Sequence, residues 1–221
     1  MKMDEINSLR VSVLETARAM NACGINHGSS GNVSLRLDGD GDALMLITPS
    51  ALPYHRCTPQ DMVVVRRDGG FYGPRPPSSE WRMHRDIYLA YETARCILHA
   101  HAPWCSTLAC LERGIPSQHY MVAMAGGPDI RCTPYAPFGS QELSDVAVEG
   151  LRGRKAVLLG HHGLLCYADN PEQALALACE VEFLARVYAQ SLAITPDPPL
   201  LSESDIANLA ERFAGYRKLG K

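Results

Sequence analysis

The chain has 221 residues, of which 46% are hydrophobic and 20% charged, and its formal net charge is −3. This size and composition predict one domain over residues 1–221, because no linker-like stretch divides the chain. There is no basic excess to indicate a nucleic-acid partner, and no apolar run approaches the roughly 18 residues of a membrane span, so we expect neither partner.

The N-terminus and the cysteines favour a cytoplasmic location. Residues 1–5 lack the positive-then-apolar layout of a signal peptide. The eight cysteines form no C-x-x-C pair, and several of them lie in apolar segments. That pattern favours buried, reduced thiols over a disulfide framework.

Hydrophobic periodicity predicts a helix and then a run of strands in the first third of the chain. Apolar residues at helical spacing indicate a helix over residues 4–21. Strict alternation indicates a strand at 33–37, and the Gly/Asp turn after it predicts a hairpin whose return strand covers 43–48. Another strand is expected at 62–67.

Helices and strands are expected to alternate in the rest of the chain. Ser78 or Ser79 is predicted to cap the next helix, and Ser140 and Asn170 are predicted to cap later ones. The further elements are strands at 96–102 and 156–159 and helices at 103–112, 141–151, 171–192 and 203–213. This order, with its hairpin signals, predicts a layered α/β domain on a largely antiparallel sheet.

Four histidines lie in two short segments far apart in the chain. His99 and His101 are in the segment predicted as a strand, where residues i and i+2 point to one face roughly 6–7 Å apart. One histidine of the pair His161-His162 can supply a third ligand, since adjacent residues of an extended segment point oppositely. Three imidazoles with one open position are typical of a catalytic zinc site. The alternative interpretation is ordinary strand and turn histidines.

Ser78, Ser79 and Glu80 lie at the start of a predicted helix. Free backbone N–H groups and hydroxyls at such a position favour an anion, particularly a phosphate. Glu80 adds a carboxylate that can serve as a fourth metal ligand or a general base. The alternatives are a simple helix cap and a glutamate that complements the helix dipole.

Two small polar loops and one tyrosine are further candidates. The loops are G-S-S-G-N at residues 28–32 and T-P-S-A at 48–51, where glycine allows close backbone approach and the polar side chains offer hydrogen bonds. Neither matches a P-loop, and such loops also serve simply to turn the chain. Tyr120, in the segment H-Y-M, can act as an acid or donor, or can be an ordinary core or surface tyrosine.

Seven segments, in one order, resemble the zinc-dependent class II aldolases, in particular their fuculose-phosphate aldolase branch. The segments are G-S-S-G-N, I-T-P-S-A-L-P-Y, P-P-S-S-E-W-R-M-H, H-A-H-A, H-Y-M-V-A-M-A-G-G, P-Y-A-P-F-G-S-Q-E-L-S and H-H-G-L-L. The resemblance runs from about residue 6 to residue 216. Because it rests on separated motifs in a fixed order, it is more specific than any single pattern.

The resemblance implies a role for each matching residue. His99, His101 and His162 match the ligands of one Zn²⁺ per subunit, a site that can also take another divalent metal. Glu80 matches a carboxylate that binds the metal in the resting enzyme and acts as the base. Tyr120 matches a tyrosine that delivers a proton at the aldehyde oxygen across a subunit boundary.

The resemblance also implies a phosphate-binding set and two accessory aromatic residues. The phosphate-binding positions are Gly31, Asn32, Ser50, Ala51, Ser78 and Ser79. Phe138 and Tyr216 match the accessory positions, and Tyr216 falls in a C-terminal tail, about residues 214–221, that the resemblance implies to be mobile.

The implied protein is a single three-layer α/β/α domain on a mainly antiparallel central sheet, assembled as a homotetramer with active sites between subunits. Its implied reaction is the reversible cleavage of a ketose 1-phosphate, such as L-fuculose 1-phosphate, to dihydroxyacetone phosphate and an aldehyde. Two other enzymes fit the same motifs: a 5-deoxyribulose- or 5-methylthioribulose-1-phosphate aldolase and a pentulose-5-phosphate 4-epimerase. A metal-free binding module like the adducin head domain is the alternative from a different class.

The chain departs from the family pattern at two positions that bear on the substrate. The family's T-P-T-G is Thr48-Pro49-Ser50-Ala51 here, so that the hydroxyl is kept but alanine replaces glycine. Alanine adds a methyl group and narrows the backbone conformations that are open to the loop. The residue between the two metal-binding histidines is Ala100 instead of asparagine.

Overall fold

Seven strands form one sheet in the computed structural model, which describes residues 3–39, 41–209 and 212. The strands are β1 (Asn32–Arg36), β2 (Ala43–Ile47), β3 (Val63–Arg66), β4 (Phe71–Tyr72), β5 (Cys96–Ala100), β6 (Ala156–Leu159) and β7 (Gly163–Ala168). Their spatial order is β4-β3-β2-β1-β5-β7-β6, and every neighbouring pair is antiparallel. The predicted antiparallel α/β architecture is therefore confirmed.

The sheet is covered by helices on both faces. The helices are α1 (Met3–Ala22), α2 (Trp81–Ala90), α3 (Pro103–Cys110), α4 (Gln141–Gly150) and α5 (Pro171–Ile194), with 3₁₀ turns at Pro59–Asp61 and Tyr120–Ala125. One buried core joins α1, α3 and α5 to the sheet, and the other joins α2 and α4 to its opposite face. The chain thus forms the predicted α/β/α layers, because each face buries the apolar stripe of its own helices.

Alternation along the central strands decides which side chains reach which layer. In β5, Leu98 packs with the α1/α3/α5 core, whereas Ile97 packs with the α2/α4 core. His99 therefore points to the α2 side of the sheet, two residues after Ile97. Asn32 of β1 is paired with His99 across the ladder, so a polar patch lies on the α2 face of two central strands.

Most predicted helix starts have the expected caps. The Ser140 hydroxyl accepts a hydrogen bond from the Leu143 N–H at 3.1 Å, and the Asn170 side chain accepts one from the Gln173 N–H at 2.9 Å. The cap predicted for α2 is wrong: the N-cap residue is Glu80, and neither Ser78 nor Ser79 takes that position. Residues 203–209 are helical, and the rest of the predicted last helix, apart from residue 212, lies outside the described residues.

Two strand predictions need correction. The strand predicted at 96–102 ends at Ala100, because the His101 N–H donates to the Asn26 side-chain oxygen at 3.4 Å instead of continuing the ladder. The segment after His162 is itself a strand, β7, which pairs with both β5 and β6. The sequence reasoning treated residues 160–163 only as a corner and did not predict the strand that follows.

Candidate active site

Three histidines from two segments converge on the α2 side of the sheet. His99 is the fourth residue of β5, His101 follows that strand, and His162 lies in the corner between β6 and β7. One ring nitrogen of each lies within 4.8 Å of the others, and their ring centroids are 4.7–5.1 Å apart. The predicted convergence of these imidazoles is present, even though His101 lies just beyond the strand.

The three rings are held in the form that can bind a metal ion. The His99 Nδ1 donates to the Leu164 carbonyl at 2.8 Å, so its Nε2 keeps a free lone pair. Burial lowers the pKa of His99 to about 3 and that of His162 to about 4, and it also lowers the pKa of His101. The rings are therefore neutral near pH 7, and metal binding there need not displace protons from the lone pairs.

Glu80 completes the cluster from the start of α2. Its Oε2 lies 3.3 Å from the His99 Nε2, and its Oε1 lies 3.3 Å from the His162 Nε2. The Nε2 atoms of His99 and His101 and the Oε1 of Glu80 are buried without a hydrogen-bond partner. Buried polar atoms without partners are costly, and three of them converging on one point fit a divalent cation with nitrogen and oxygen ligands.

The corner between β6 and β7 distinguishes the two adjacent histidines. His161 has a left-handed backbone, φ 54°, and its ring points toward Glu112 (Nε2 to Oε1, 3.5 Å) and Tyr135 (ring centroids 6.0 Å apart). His162 turns toward His99 and His101 instead. The structure thus brings one histidine of the pair into the cluster, as alternation predicts.

A chain of buried hydrogen bonds leads from Glu80 into the core. Asn32 Nδ2 donates to Glu80 Oε2 at 2.8 Å, and Asn32 Oδ1 lies 2.5 Å from His84 Nε2. His84 Nδ1 lies 2.7 Å from the Ser34 hydroxyl, which lies 2.9 Å from the Tyr88 hydroxyl. Burial lowers the pKa of His84 to about 3, so this ring is neutral as well.

The loops assigned to phosphate binding are joined to each other. Ser50 N–H donates to the Pro76 carbonyl at 3.1 Å, and Ser78 N–H donates to the Thr48 carbonyl at 3.0 Å. The Ser78 hydroxyl accepts from the Glu80 N–H at 3.3 Å. These bonds hold Ser50 and Ser78 next to the start of α2, as a shared anion site requires.

Ser50 and Ser79 line a surface depression of about 460 Å³ together with a cationic side chain, Arg82. The Arg82 guanidinium donates to the Gly139 carbonyl at 3.1 Å and lies over the Trp81 ring at 4.8 Å. Arg82 was not among the residues predicted from the sequence, although it follows Glu80 in the motif P-P-S-S-E-W-R-M-H. Its charge favours an anion in this depression.

Gly31 and Ala51 have distinct backbone roles. A Cβ atom at Gly31 would overlap the His99 carbonyl oxygen, so only glycine fits where β1 begins beside β5. Ala51 has φ 55° and is exposed. The loop therefore needs the left-handed conformation that glycine adopts readily, and alanine takes it at a cost.

A cavity of about 330 Å³ opens over the histidine cluster. We call one side the buried wall, which consists of the lining residues Glu80, His101 and His162 together with His99, a member of the same cluster that does not line the cavity. We call the other side the open wall, formed by Tyr135, Phe138 and His161. The residues that line the cavity itself are Ser30, Ser79, Glu80, His101, Tyr135, Ala136, Phe138, His161 and His162. Ser79 and Phe138 also line the depression that contains Ser50, so the two cavities adjoin.

Tyr120 is a candidate catalytic residue that the structure does not bring to the cavity. It begins the 3₁₀ turn at Tyr120–Ala125, stacks on His119 with ring centroids 4.9 Å apart, and is 49% exposed. It is not among the residues that line the cavity. The other accessory tyrosine, Tyr216, and the tail at 214–221 lie outside the described residues.

Sequence reasoning missed the residues that support the cluster from behind. Ser34, His84 and Tyr88 are buried polar residues of β1 and α2, and Asn26 binds both the Ser30 hydroxyl and the His101 N–H. The available signals were weak: Ser34 has the same strand parity as Asn32, and His84 follows Glu80 by one helical turn.

The sequence profile of the family described as "Class II Aldolase and Adducin N-terminal domain" matches residues 11–189. An L-fuculose phosphate aldolase of Escherichia coli (strain K12) is 44% identical over 212 residues, which are 96% of this chain and 97% of that protein. A 5-methylthioribulose-1-phosphate/5-deoxyribulose-1-phosphate aldolase of Rhodospirillum rubrum is also 44% identical, over 95% of this chain and 92% of that protein.

Solved structures give the same picture of the fold. A structure of L-fuculose 1-phosphate aldolase superposes with a TM-score of 0.89 at 33% sequence identity, covering 94% of this chain and 96% of the other. Likeness at this level extends over the whole sheet and both helical layers. No helix among the described residues is long and apolar enough to cross a membrane.

Proposed function

Because this chain belongs to the class II aldolase and adducin N-terminal domain family and is an aldehyde-lyase of the class II aldolase type, we propose that it cleaves L-fuculose 1-phosphate to dihydroxyacetone phosphate and an aldehyde. The observation that carries the proposal is the convergence of His99, His101, His162 and Glu80 beside an anion-binding depression. A metal site next to a phosphate site is what a phosphorylated ketose needs.

We propose Zn²⁺ as the metal, held by His99, His101 and His162 with Glu80 as the exchangeable fourth ligand. Three histidines with a displaceable position are typical of catalytic zinc sites. The bound metal supplies Lewis-acid stabilisation of the negative charge that develops on the triose phosphate fragment.

Proton movements are assigned to Glu80 and Tyr120. Cleavage breaks the bond between C3 and C4 of the ketose, the C4 hydroxyl loses its proton, and C3 gains one. Glu80 lies against the cluster and is placed to give and take the C3 proton. Tyr120 hydrogen-bonds the aldehyde oxygen and gives it a proton in the synthetic direction; in cleavage the resulting phenolate takes the proton of the C4 hydroxyl back.

The phosphate group is assigned to the set Gly31, Asn32, Ser50, Ala51, Ser78 and Ser79, of which Ser50 and Ser79 line the depression beside Arg82. The Asn32 side chain is bound to Glu80 and His84, so we assign it to holding Glu80 and not to direct contact with the phosphate. This depression and the cavity over the histidines share Ser79 as a lining residue. Their adjacency supports one substrate that occupies both. Anchoring the phosphate fixes the reacting carbons near Glu80 and so lowers the entropy cost of the reaction.

A homotetramer with active sites between subunits is part of the proposal. Tyr120 is half-exposed and lies away from the cavity of its own chain, which supports its supply to a neighbouring site. The whole chain, 1–221, is proposed as one domain whose tail at 214–221 carries Tyr216. We also propose a cytoplasmic location, and the eight free cysteines support it.

A second substrate class, 5-methylthioribulose 1-phosphate and 5-deoxyribulose 1-phosphate, has equal support from sequence identity. These ketose phosphates differ from L-fuculose 1-phosphate in the aldehyde portion. The same Glu80 chemistry applies to all three, so only the contacts of the open wall distinguish them.

The test is a cleavage assay on the three sugar phosphates with zinc-loaded protein, with triose phosphate measured by a coupled dehydrogenase. We expect rapid release from L-fuculose 1-phosphate that a chelator and the His162→Ala substitution both abolish. The His161→Ala variant is the matched control for metal content, which it should retain. Release of triose phosphate only from the two ribulose phosphates would favour the second substrate class. In a separate assay, isomerisation of a pentulose 5-phosphate without release of triose phosphate would show an epimerase instead.

A further inference from the structure

Four polar side chains behind Glu80 form a continuous buried run. Asn32, Ser34, His84 and Tyr88 are each at most 2% exposed, although none of them lines the cavity. The run crosses from the α2 face of β1 to the α2 helix and back, and each link is 2.5–2.9 Å long. Polar side chains buried this deeply need a satisfied network, and here the network ends on the proposed base.

An ionised Glu80 sets the direction of the hydrogen bonds from Asn32 through His84 to Ser34. An ionised Glu80 carboxylate can only accept, so Asn32 must present its NH₂ group to Glu80 and its carbonyl oxygen to His84. His84 must then carry its proton on Nε2, which leaves Nδ1 to accept from the Ser34 hydroxyl. Ser34 has no second proton, so Tyr88 is the donor at this end, and its one proton is shared between the Ser34 hydroxyl at 2.9 Å and the Ser34 carbonyl at 3.0 Å.

The far end of the run is anchored to the backbone. The Tyr88 hydroxyl also lies 3.0 Å from the Ser34 carbonyl, and the Arg36 guanidinium lies over the Tyr88 ring at 4.9 Å. Arg36 in turn donates to the carbonyls of Ala94 and Tyr91 at 2.8 and 2.9 Å, where α2 ends. These contacts fix the position of the Tyr88 end of the run between β1 and α2, while the ionised Glu80 at the other end sets its direction.

We propose that His84 is a positioning residue for Glu80, acting through Asn32 and held in one tautomer by Ser34 and Tyr88. The inference rests on the proposed function, in which Glu80 is the base. If the His84 proton moved to Nδ1, its Nε2 lone pair would face the Asn32 oxygen, and the Asn32 amide would be driven to turn. Its oxygen would then face the Glu80 carboxylate and repel it from the position in which it exchanges a proton with substrate.

Two substitutions of similar size test the proposal, because glutamine places an amide near the position of Nε2 and asparagine places one near that of Nδ1. His84→Gln keeps a donor for Asn32, whereas His84→Asn keeps only the contact with Ser34. We expect His84→Asn to lower kcat about 10- to 100-fold with little change in KM, as other residues behind metal ligands do. His84→Gln should recover most of that loss.

The measurement that isolates the base is hydrogen exchange. Zinc-loaded protein is given dihydroxyacetone phosphate alone in D₂O, and the loss of its carbon-bound proton is followed by NMR. Exchange should fall in His84→Asn in parallel with kcat, at equal zinc content. His55→Gln, at an exposed histidine outside the cavity, is the matched control and should exchange like the wild type.

If His84 had a purely structural role, the asparagine and glutamine variants would differ from the wild type in folding or zinc content but not from each other in exchange rate. Equal exchange rates in the two variants would therefore overturn the proposal. Should His84→Asn not fold, Ser34→Ala removes the donor that fixes the tautomer, and it should slow exchange while Tyr72→Phe, at an exposed tyrosine, does not. Wild-type protein that neither exchanges nor cleaves would instead refute the proposed function itself.

Discussion

Glu80 and Phe138 face the same cavity, but Glu80 is 5% exposed and Phe138 is 74% exposed. On the buried wall, two polar groups are fixed by a neighbour: His99 by the Leu164 carbonyl and Glu80 by Asn32. On the open wall, Tyr135 is 60% exposed, and the His161 ring contacts Tyr135 and the exposed side chain of Glu112. From this contrast, and under the proposed function, we expect the buried wall to perform the chemistry and the open wall to select the aldehyde.

The largest effect should come from Glu80→Gln, which removes the carboxylate from the buried wall but keeps the size and shape of the side chain. Loss of a general base costs about 10²- to 10⁴-fold, so kcat for cleavage and the deuterium exchange rate of dihydroxyacetone phosphate should both fall by that much. Steady-state kinetics and NMR would measure the two rates. Glu92→Gln, at an exposed glutamate, should leave both unchanged, and a Glu80→Gln enzyme with wild-type exchange would exclude Glu80 as the base.

Removal of the metal should lower the thermal stability of the protein, because the proposed ligands all belong to the buried wall. Ligand held at 100 times its Kd stabilises the native state by about 2.7 kcal/mol, and for a chain of this length that corresponds to about 5–10 °C in Tm. Calorimetry with and without a chelator should show this loss. The His162→Ala variant lacks one ligand and should show almost none, so a similar shift in both proteins would contradict the assigned ligands.

A pH dependence follows from the burial of His84, whose pKa is lowered from 6.5 to about 3. Between those values the unfolded chain binds a proton at this residue and the folded chain does not. The free energy of unfolding of the metal-free protein should therefore fall as pH decreases below about 6.5, by up to about 1.4 kcal/mol per pH unit for His84. Urea titrations of His84→Gln between pH 6.5 and 4.5 should show a correspondingly smaller slope than the wild type.

On the open wall, Phe138→Ala should change substrate preference without affecting the base. Removing apolar contact with an aldehyde side chain should shift the ratio of kcat/KM values for L-fuculose 1-phosphate and 5-methylthioribulose 1-phosphate by about tenfold. Exchange of dihydroxyacetone phosphate involves no aldehyde and should stay at the wild-type rate. Slower exchange in this variant would mean that the two walls are not independent.

The smallest effect is expected in the phosphate loop, where Ala51→Gly should stabilise the protein. The left-handed conformation costs a non-glycine residue about 1–2 kcal/mol, and the greater freedom of glycine in the unfolded chain offsets about 0.4–1 kcal/mol of the gain. Urea unfolding should show a net increase of about 0.5–1 kcal/mol. Ala176→Gly, at an exposed position inside α5, should change stability in the opposite direction by a similar amount.

Local signals predicted the fold well where structure depends on neighbours in sequence. The caps at Ser140 and Asn170, the long helices α1 and α5, and the strand β6 are local features, and all of them are confirmed. The strand β7 was missed because its segment has no alternation: both of its faces are buried, so it reads as a continuous apolar run.

In the candidate site too, the residues close together in sequence were predicted and those joined by distant contacts were not. The His99/His101 pair is visible in the sequence because both ligands lie within three residues, and the order of the motifs supplied the rest of the candidate set. The run Asn32–His84–Ser34–Tyr88 could not be predicted, because each of its contacts joins residues about fifty positions apart. Alternation in β1 even misdirects, since polar residues on one face of a strand are typical of solvent exposure, whereas Asn32 and Ser34 are buried beneath α2.

The position of β5 in the sheet has a consequence for biosynthesis. It pairs with β1 on one side and with β7 on the other, and both partners are distant in sequence. A nascent chain that has released only β1 to β5 from the ribosome already carries His99 and His101, but not the corner that supplies His162. If His99, His101 and His162 are the ligands, as we propose, the metal site is complete only after the corner between β6 and β7 has been synthesised and has folded beside β5.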